Sequence, residues 1–221
     1  YRTTTGYNTL TIDIDEIYDQ FGFGIRNHPN SIRNFLKMTN ASWTTKPEYV
    51  FLIGKSIKHN FIRTDTTLYP QNLLPSMGIA PSDNMFAYNI SGNDRLYCSM
   101  GRLAAPTFIQ VADYYQKVGD YETQQNTLPH AEWMKNVLHF ASSGAFQAYI
   151  NVYDTIISDT LFGANVIDFV KNGATDFQPN TVDSIRSFLN VKGVSLVTIF
   201  GHSSGQGFDY NVDDPNLMTN F

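Results

Sequence analysis

The residues with the plainest chemical potential are Gly201-His202-Ser203-Ser204, which follow the apolar run VSLVTIF at 194–200. An imidazole titrates near neutrality, so His202 can accept a proton and return it within one reaction cycle. Gly201 lets the chain bend sharply where the run ends. The small Ser203 leaves its backbone N–H open to an incoming carbonyl oxygen, as an oxyanion donor requires. The same four residues also suit a strand-end histidine held by local hydrogen bonds, and the motif is short. Ser203 or Ser204 as a nucleophile would lack the apex position of Gly-x-Ser-x-Gly.

Other reactive residue types are sparse. The single cysteine, Cys98, lies in the strand-like DRLYCSMGRL. It cannot form an internal disulfide, and it reads as a small buried apolar residue rather than a nucleophile. His28, His59, His130, His139 and His202 show neither HxxxH nor HxH spacing, and there is no CxxC, so no metal site is expected. The acidic DYNVDD (209–214) lacks the spacing and terminal Glu of an EF-hand and reads as a solvated loop. No Gly-x-Gly-x-x-Gly or P-loop pattern opens a helix. No cofactor is expected.

The elements that must position His202 alternate strand and helix. NTLTIDI (8–14) alternates like a strand and leads into a short helix capped by Asp13 or Asp15 and ended at Gly22. SIRNFLKMT predicts a helix capped by Asn30 or Ser31. The continuous apolar run Tyr49 to Ile53 predicts a strand buried on both faces. Residues 56–95, with Pro70, Pro75 and Pro81, form the longest irregular stretch, a length that usually carries function. A strand at 95–103 and a helix at 105–122, capped by Thr107 and striped by Ile109, Ala112, Tyr115, Gln116 and Gly119, complete a first part.

The polar, Pro129-containing TQQNTLPHAEW marks a boundary, dividing the chain into 1–125 and 126–221. Beyond it come a strand (135–144), a helix (146–163), a strand (164–172), a helix (180–193, stopped by Gly193) and a last strand (194–201). The alternation predicts an α/β fold with a largely parallel sheet and flanking helices. Ligands of such sheets bind at the carboxyl ends of strands. Those ends are Gly54-Lys55-Ser56, Ser142-Ser143-Gly144 and Gly201-His202-Ser203.

Composition narrows the class. The chain has 221 residues, 42% of them hydrophobic and 16% charged, enough for one large or two small cores. A net charge of −5 with scattered basic residues excludes a nucleic-acid partner that needs a clustered basic face. No run approaches the roughly 18 apolar residues of a membrane span. The opening Tyr-Arg-Thr-Thr-Thr-Gly-Tyr reads as mid-protein sequence, so a piece of a longer chain is expected. The Asn-, Thr- and Tyr-rich composition fits an exported bacterial surface protein.

With these elements in order, the whole chain resembles the gingipain family of cysteine peptidases. The resemblance is carried by YRTTTGYNTLTIDIDEIYDQFGFG, by SIRNFLKMT followed by PEYVFLIG, and by VSLVTIFGHSSGQGFDYN. PSDNMFAYNISGNDRLYCSMGRLAAPT carries it most specifically, with a Ser-Asp-Asn turn and a Gly-Arg strand end. The FGHSS and FDYNVDDP forms look closest to members of the type IX secretion system, its sortase-like proteins included. The resemblance implies a caspase-like fold in two side-by-side subdomains, a thiol nucleophile, and His202 as base and then acid. It implies Ser203 N–H as oxyanion donor, a peptide or protein substrate, and type IX secretion components as partners. It also implies a secreted or outer-membrane-surface location.

In that family the nucleophilic cysteine lies a few tens of residues beyond the histidine, and Cys98 belongs to the first subdomain. These residues alone are therefore expected to be inactive, as part of a peptidase or transpeptidase. The alternative is a non-catalytic module of a secreted protein or of the secretion machinery. The family's acidic residue after Ala-Ser is replaced here by Ser143-Gly144, and Lys55 stands where many relatives have Asp. Asp154 is the candidate orienting acid, and Ser143, Gly144 and Phe208 are the candidate substrate-binding residues.

Overall fold

The computed structural model describes residues 1–158, 163–171 and 179–201, with the backbone of 203–204 and 207–208. The chain divides into two units, Tyr1–Gly119 and Asp120–Phe221. It is a mixed α/β structure with parallel strands in two sheets and flanking helices.

In the first unit, Asp13 accepts the Asp15 N–H and opens α1 (Ile14–Phe21), which ends at Gly22. The expected strand at 8–14 is not formed. Alternation extends the chain, but no neighbouring strand pairs with it among the described residues, and Leu10 stays 67% exposed. Helix α2 (Pro29–Ser42) starts earlier than expected, because Pro29 presets the first helical φ and His28 Nδ1 accepts the Asn30 N–H.

Strands β1 (Tyr49–Ile53) and β2 (Ser99–Leu103) pair in parallel, Tyr49 with Ser99 through Ile53 with Leu103. Helix α2 supplies Ile32 and Leu36 to a core shared with Leu52, Leu74, Phe86 and Cys98. The expected burial of β1 on both faces is not observed: Tyr49, Phe51 and Ile53 are 64%, 49% and 52% exposed. Only alternate residues reach the core, and the other face meets α5 (Phe108–Gln125) sparsely, with Tyr114 stacked on Phe51. Thr107 accepts from Gln110 N–H at the start of α5, but the expected apolar stripe does not bury any residue of that helix.

The long connection between β1 and β2 is less irregular than its prolines suggest. It contains α3 (His59–Thr64) and α4 (Asn84–Ala87), and it seats Leu74 and Phe86 in the core. Arg102 of β2 fastens it. Its Nε and Nη2 donate to the two carboxylate oxygens of Asp83 at 2.8 and 2.7 Å, and it also donates to the carbonyls of Gly54 and Pro75 at 2.9 and 2.8 Å. A planar guanidinium can make this two-point grip and the carbonyl contacts together.

In the second unit, β3 (Asn136–Ala141) lies between β4 (Asn165–Val170) and β5 (Leu196–Phe200), all parallel. Every residue of β3 is buried. Helix α7 (Pro179–Ser187) brings Val182 and Ile185 onto Leu138, Phe140 and Phe169. It continues as a π-helical turn to Lys192 and closes at Gly193, as expected. There φ is +78°, and a Cβ would lie 2.7 Å from Trp133 Cβ, so only glycine fits. Helix α6 (Gln147–Ile157) covers the opposite face and buries Ile150. Beyond β5, β6 (Ser203–Ser204) and β7 (Gly207–Phe208) pair antiparallel.

The Arg102 grip yields a test. Arg102→Ala strands the Asp83 carboxylate in a partly buried site, and it should lower unfolding free energy by about 3 kcal/mol in urea titration. Arg102→Lys should recover only part of that, since an ammonium cannot bind both oxygens and the two carbonyls. A variant as stable as the parent would show that the connection is held by its apolar residues alone.

Candidate active site

Strand order sets where a ligand can enter the second unit. The chain runs from β3 outward to β4, then returns past β3 to β5. The two crossovers lie on opposite faces, α6 leading from β3 to β4 on one and α7 from β4 back to β5 on the other. Such a switch point opens a crevice at the carboxyl ends of the strands. Here those ends are Ser142-Ser143-Gly144 and Gly201. They are held side by side, with Ser142 N–H donating to Phe200 O at 2.9 Å.

Ser143 is extended and precedes a 3-10 turn at Gly144–Phe146 that leads directly into α6. Phe146, Tyr149, Tyr153 and Phe200 form an aromatic layer on the α6 side of these strand ends, with Tyr149 stacked over Phe200 and Tyr153 tilted onto it. His202 follows Gly201 directly in the chain, and its placement lies outside the described residues. The backbone of Ser203 pairs with that of Phe208. The side chains of Ser203 and Phe208 lie outside the described residues.

Asp154, the candidate orienting acid, lies on α6 and reaches His139 of β3. Its Oδ1 is 2.9 Å from His139 Nδ1, and Asp168 Oδ1 of β4 is 3.9 Å from the same nitrogen. His139 and Asp168 are register partners across β3 and β4. The imidazole is fully buried, while the two carboxylates are about a quarter exposed, at 24% and 29%. The approach of Asp154 is off the line of a hydrogen bond, so both ring nitrogens and Asp154 Oδ1 lack a hydrogen-bond partner among the described residues. Burial, then the charge of Asp154 and a proton shared with it, holds Asp168 above the usual carboxylate range. His139 and a long contact from Gln147 pull it back.

His139 is one of five histidines without metal-ligand spacing, and no motif marks Asp168. The available signal was a polar residue inside each of two apolar runs, VLHFA and NVIDFV. Their pairing depends on strand register, which those runs do not specify.

The first unit has its own strand-end cleft, about 250 Å³, lined by Ser56, Lys58, Ser76, Ser82, Asp83 and Arg102. Lys55 offers its carbonyl to Leu73 and Leu74 N–H. Cys98 packs in that unit's core, 5% exposed, and burial pushes its thiol up to about 11.

Parallel strands in two sheets with flanking helices fit an α/β domain of the caspase-like kind. The model of peptidase family C25 matches residues 1–221, so the chain belongs to that family, the gingipain family, as a cysteine peptidase domain. No curated protein and no solved structure matches it. In the described residues, no helix is long and apolar enough to cross a membrane.

The state of Cys98 is directly measurable. A thiol neutral up to about pH 11 and shut in a core should resist a disulfide reagent at pH 8 in the folded protein. It should react fully once urea unfolds the chain. Rapid labelling under native conditions would make Cys98 a reactive thiol.

Proposed function

We propose that this domain supplies the histidine side of a Cys–His peptidase centre. His202 is the base and Ser203 N–H an oxyanion donor, and Ser143, Gly144 and Phe208 line the substrate cleft. The observation that carries this reading is the hydrogen bond from Ser142 N–H to Phe200 O, which holds the carboxyl ends of β3 and β5 side by side at the switch point. A substrate peptide lying across those ends would meet the turn that bears His202.

The chemistry then runs in two stages. His202 takes the thiol proton as the sulfur attacks the substrate carbonyl carbon, and the carbonyl oxygen gains negative charge against Ser203 N–H. The C–N bond breaks as His202 gives the proton to the leaving amine, leaving a thioester. Water then completes hydrolysis, or a second amine completes transpeptidation. Cys98 does not serve as the nucleophile, because it lies in the core of the other unit with its thiol kept neutral. The reacting thiol is supplied from outside these 221 residues, and the isolated segment is inactive. We further propose a secreted or cell-surface protein that acts on peptide or protein substrates, with type IX secretion components as partners.

Ser143-Gly144 in the place of the family's acid favours a second reading, a non-catalytic module that keeps the fold for binding.

The test uses the full-length protein and a peptide substrate. His202→Ala should lower kcat/KM about 10²- to 10⁴-fold with an unchanged melting temperature, the range of a lost general acid–base group. Adding an amine acceptor separates transpeptidation from hydrolysis by the product formed. Unchanged turnover in the variant would remove His202 from the mechanism, and no turnover in the parent would favour the binding module.

A further inference from the structure

We propose that His139, Asp154 and Asp168 form a binding site for a divalent transition-metal ion of the zinc class, between β3, β4 and α6. The site is separate from the peptidase reading and uses none of its residues other than Asp154, the earlier candidate orienting acid. One donor atom from each residue can be chosen so that all lie within 4.8 Å of one another.

Two carboxylates near each other do not make a site, since acidic pairs on a surface are common. The second observation is the imidazole. His139 is fully buried, its Nδ1 points at both carboxylates, and it has no hydrogen-bond partner among the described residues. Buried polar atoms in folded proteins are almost always partnered, so an orphan at this position calls for a ligand. Asp154 Oδ1, the atom nearest to Nδ1, is equally unpartnered.

The distances suit a shared metal as well as a direct contact. Donors about 2.0–2.1 Å from a tetrahedral zinc ion lie about 3.3 Å from each other. The separations of Nδ1 from the two carboxylate oxygens, 2.9 and 3.9 Å, fall on either side of that value. Charge agrees too. A dication would offset the two carboxylates that converge on the one ring. Gln147 Nε2 approaches Asp168 Oδ2 at 3.5 Å and stands where an outer hydrogen bond would orient that ligand. The partial exposure of both carboxylates leaves a route for the ion and for a water as a further ligand. One imidazole among the donors favours zinc-class ions over calcium or magnesium, which prefer all-oxygen shells.

The experiment uses untagged protein stripped with a chelator and titrated with Zn²⁺, with Ca²⁺ as a parallel arm. Calorimetry should give one zinc per chain, and the melting temperature should rise with zinc concentration while calcium does little. Cobalt in place of zinc should give visible d–d absorption. Asp168→Asn, a change at a partly exposed carboxyl, should keep the fold by circular dichroism and weaken zinc at least about tenfold. Substoichiometric zinc, an unshifted melting temperature or equal affinity in Asp168→Asn would each overturn the site. So would an imidazole nitrogen resonance, unchanged by zinc, showing His139 as a simple protonated partner of Asp154.

Discussion

A polar ring at the centre of the most deeply buried strand is the constraint around which the second unit is arranged. Strand β3 is covered at all six positions, and His139 is its third-last residue. An imidazole so placed is costly unless charged or metal-bound partners answer it. The neighbours therefore have little freedom. Asp168 must come opposite His139, which fixes the register of β4, and α6 must lie so that Asp154 faces inward. A slip of one residue in β4 would turn Asp168 toward Phe140, Val182 and Ile185, where nothing could accept its charge. The apolar face built with α7 could tolerate small shifts, whereas the α6 face could not.

That constraint also sets the neighbouring strand ends. With β3 central and its register set, its carboxyl end is level with that of β5, and Ser142 meets Phe200. Phe200, two residues before His202 in the chain, is thus held beside Ser142. In the first unit Arg102 plays the corresponding organising part, tying Asp83 and two carbonyls to the end of β2. This gives a physical meaning to the Ser-Asp-Asn turn and the Gly-Arg strand end that carried the family resemblance most specifically. Asp83 and Arg102 stand nineteen residues apart in sequence and form one bidentate pair.

Much of this order was legible from residue patterns. Apolar runs located the five longer strands among the described residues, and Asp13, Thr107 and Gly193 marked helix ends by their local chemistry. What the patterns missed is nonlocal. The stretch 8–14 has strand alternation but no partner, because pairing is decided by the rest of the sheet. Tyr49, Phe51 and Ile53 read as core, yet half-exposed aromatics and isoleucines are what a two-stranded sheet with one well-covered face leaves outside. His139 and Asp168 meet only through parallel register, 29 positions apart, so no spacing rule could join them. Asp154 was singled out as an acid, but its partner could be found only after α6 was docked.

The central claim is that the strand ends of β3 and β5 carry the peptidase chemistry. The most direct measurement is a crystal structure of the full-length protein captured with a peptide probe bearing a thiol-reactive carbonyl. The account predicts a cysteine from outside these 221 residues bonded to the probe and His202 within hydrogen-bond reach of that sulfur. The former carbonyl oxygen should rest on Ser203 N–H. A probe bonded to Cys98, or held away from Ser143 and Gly201, would contradict it.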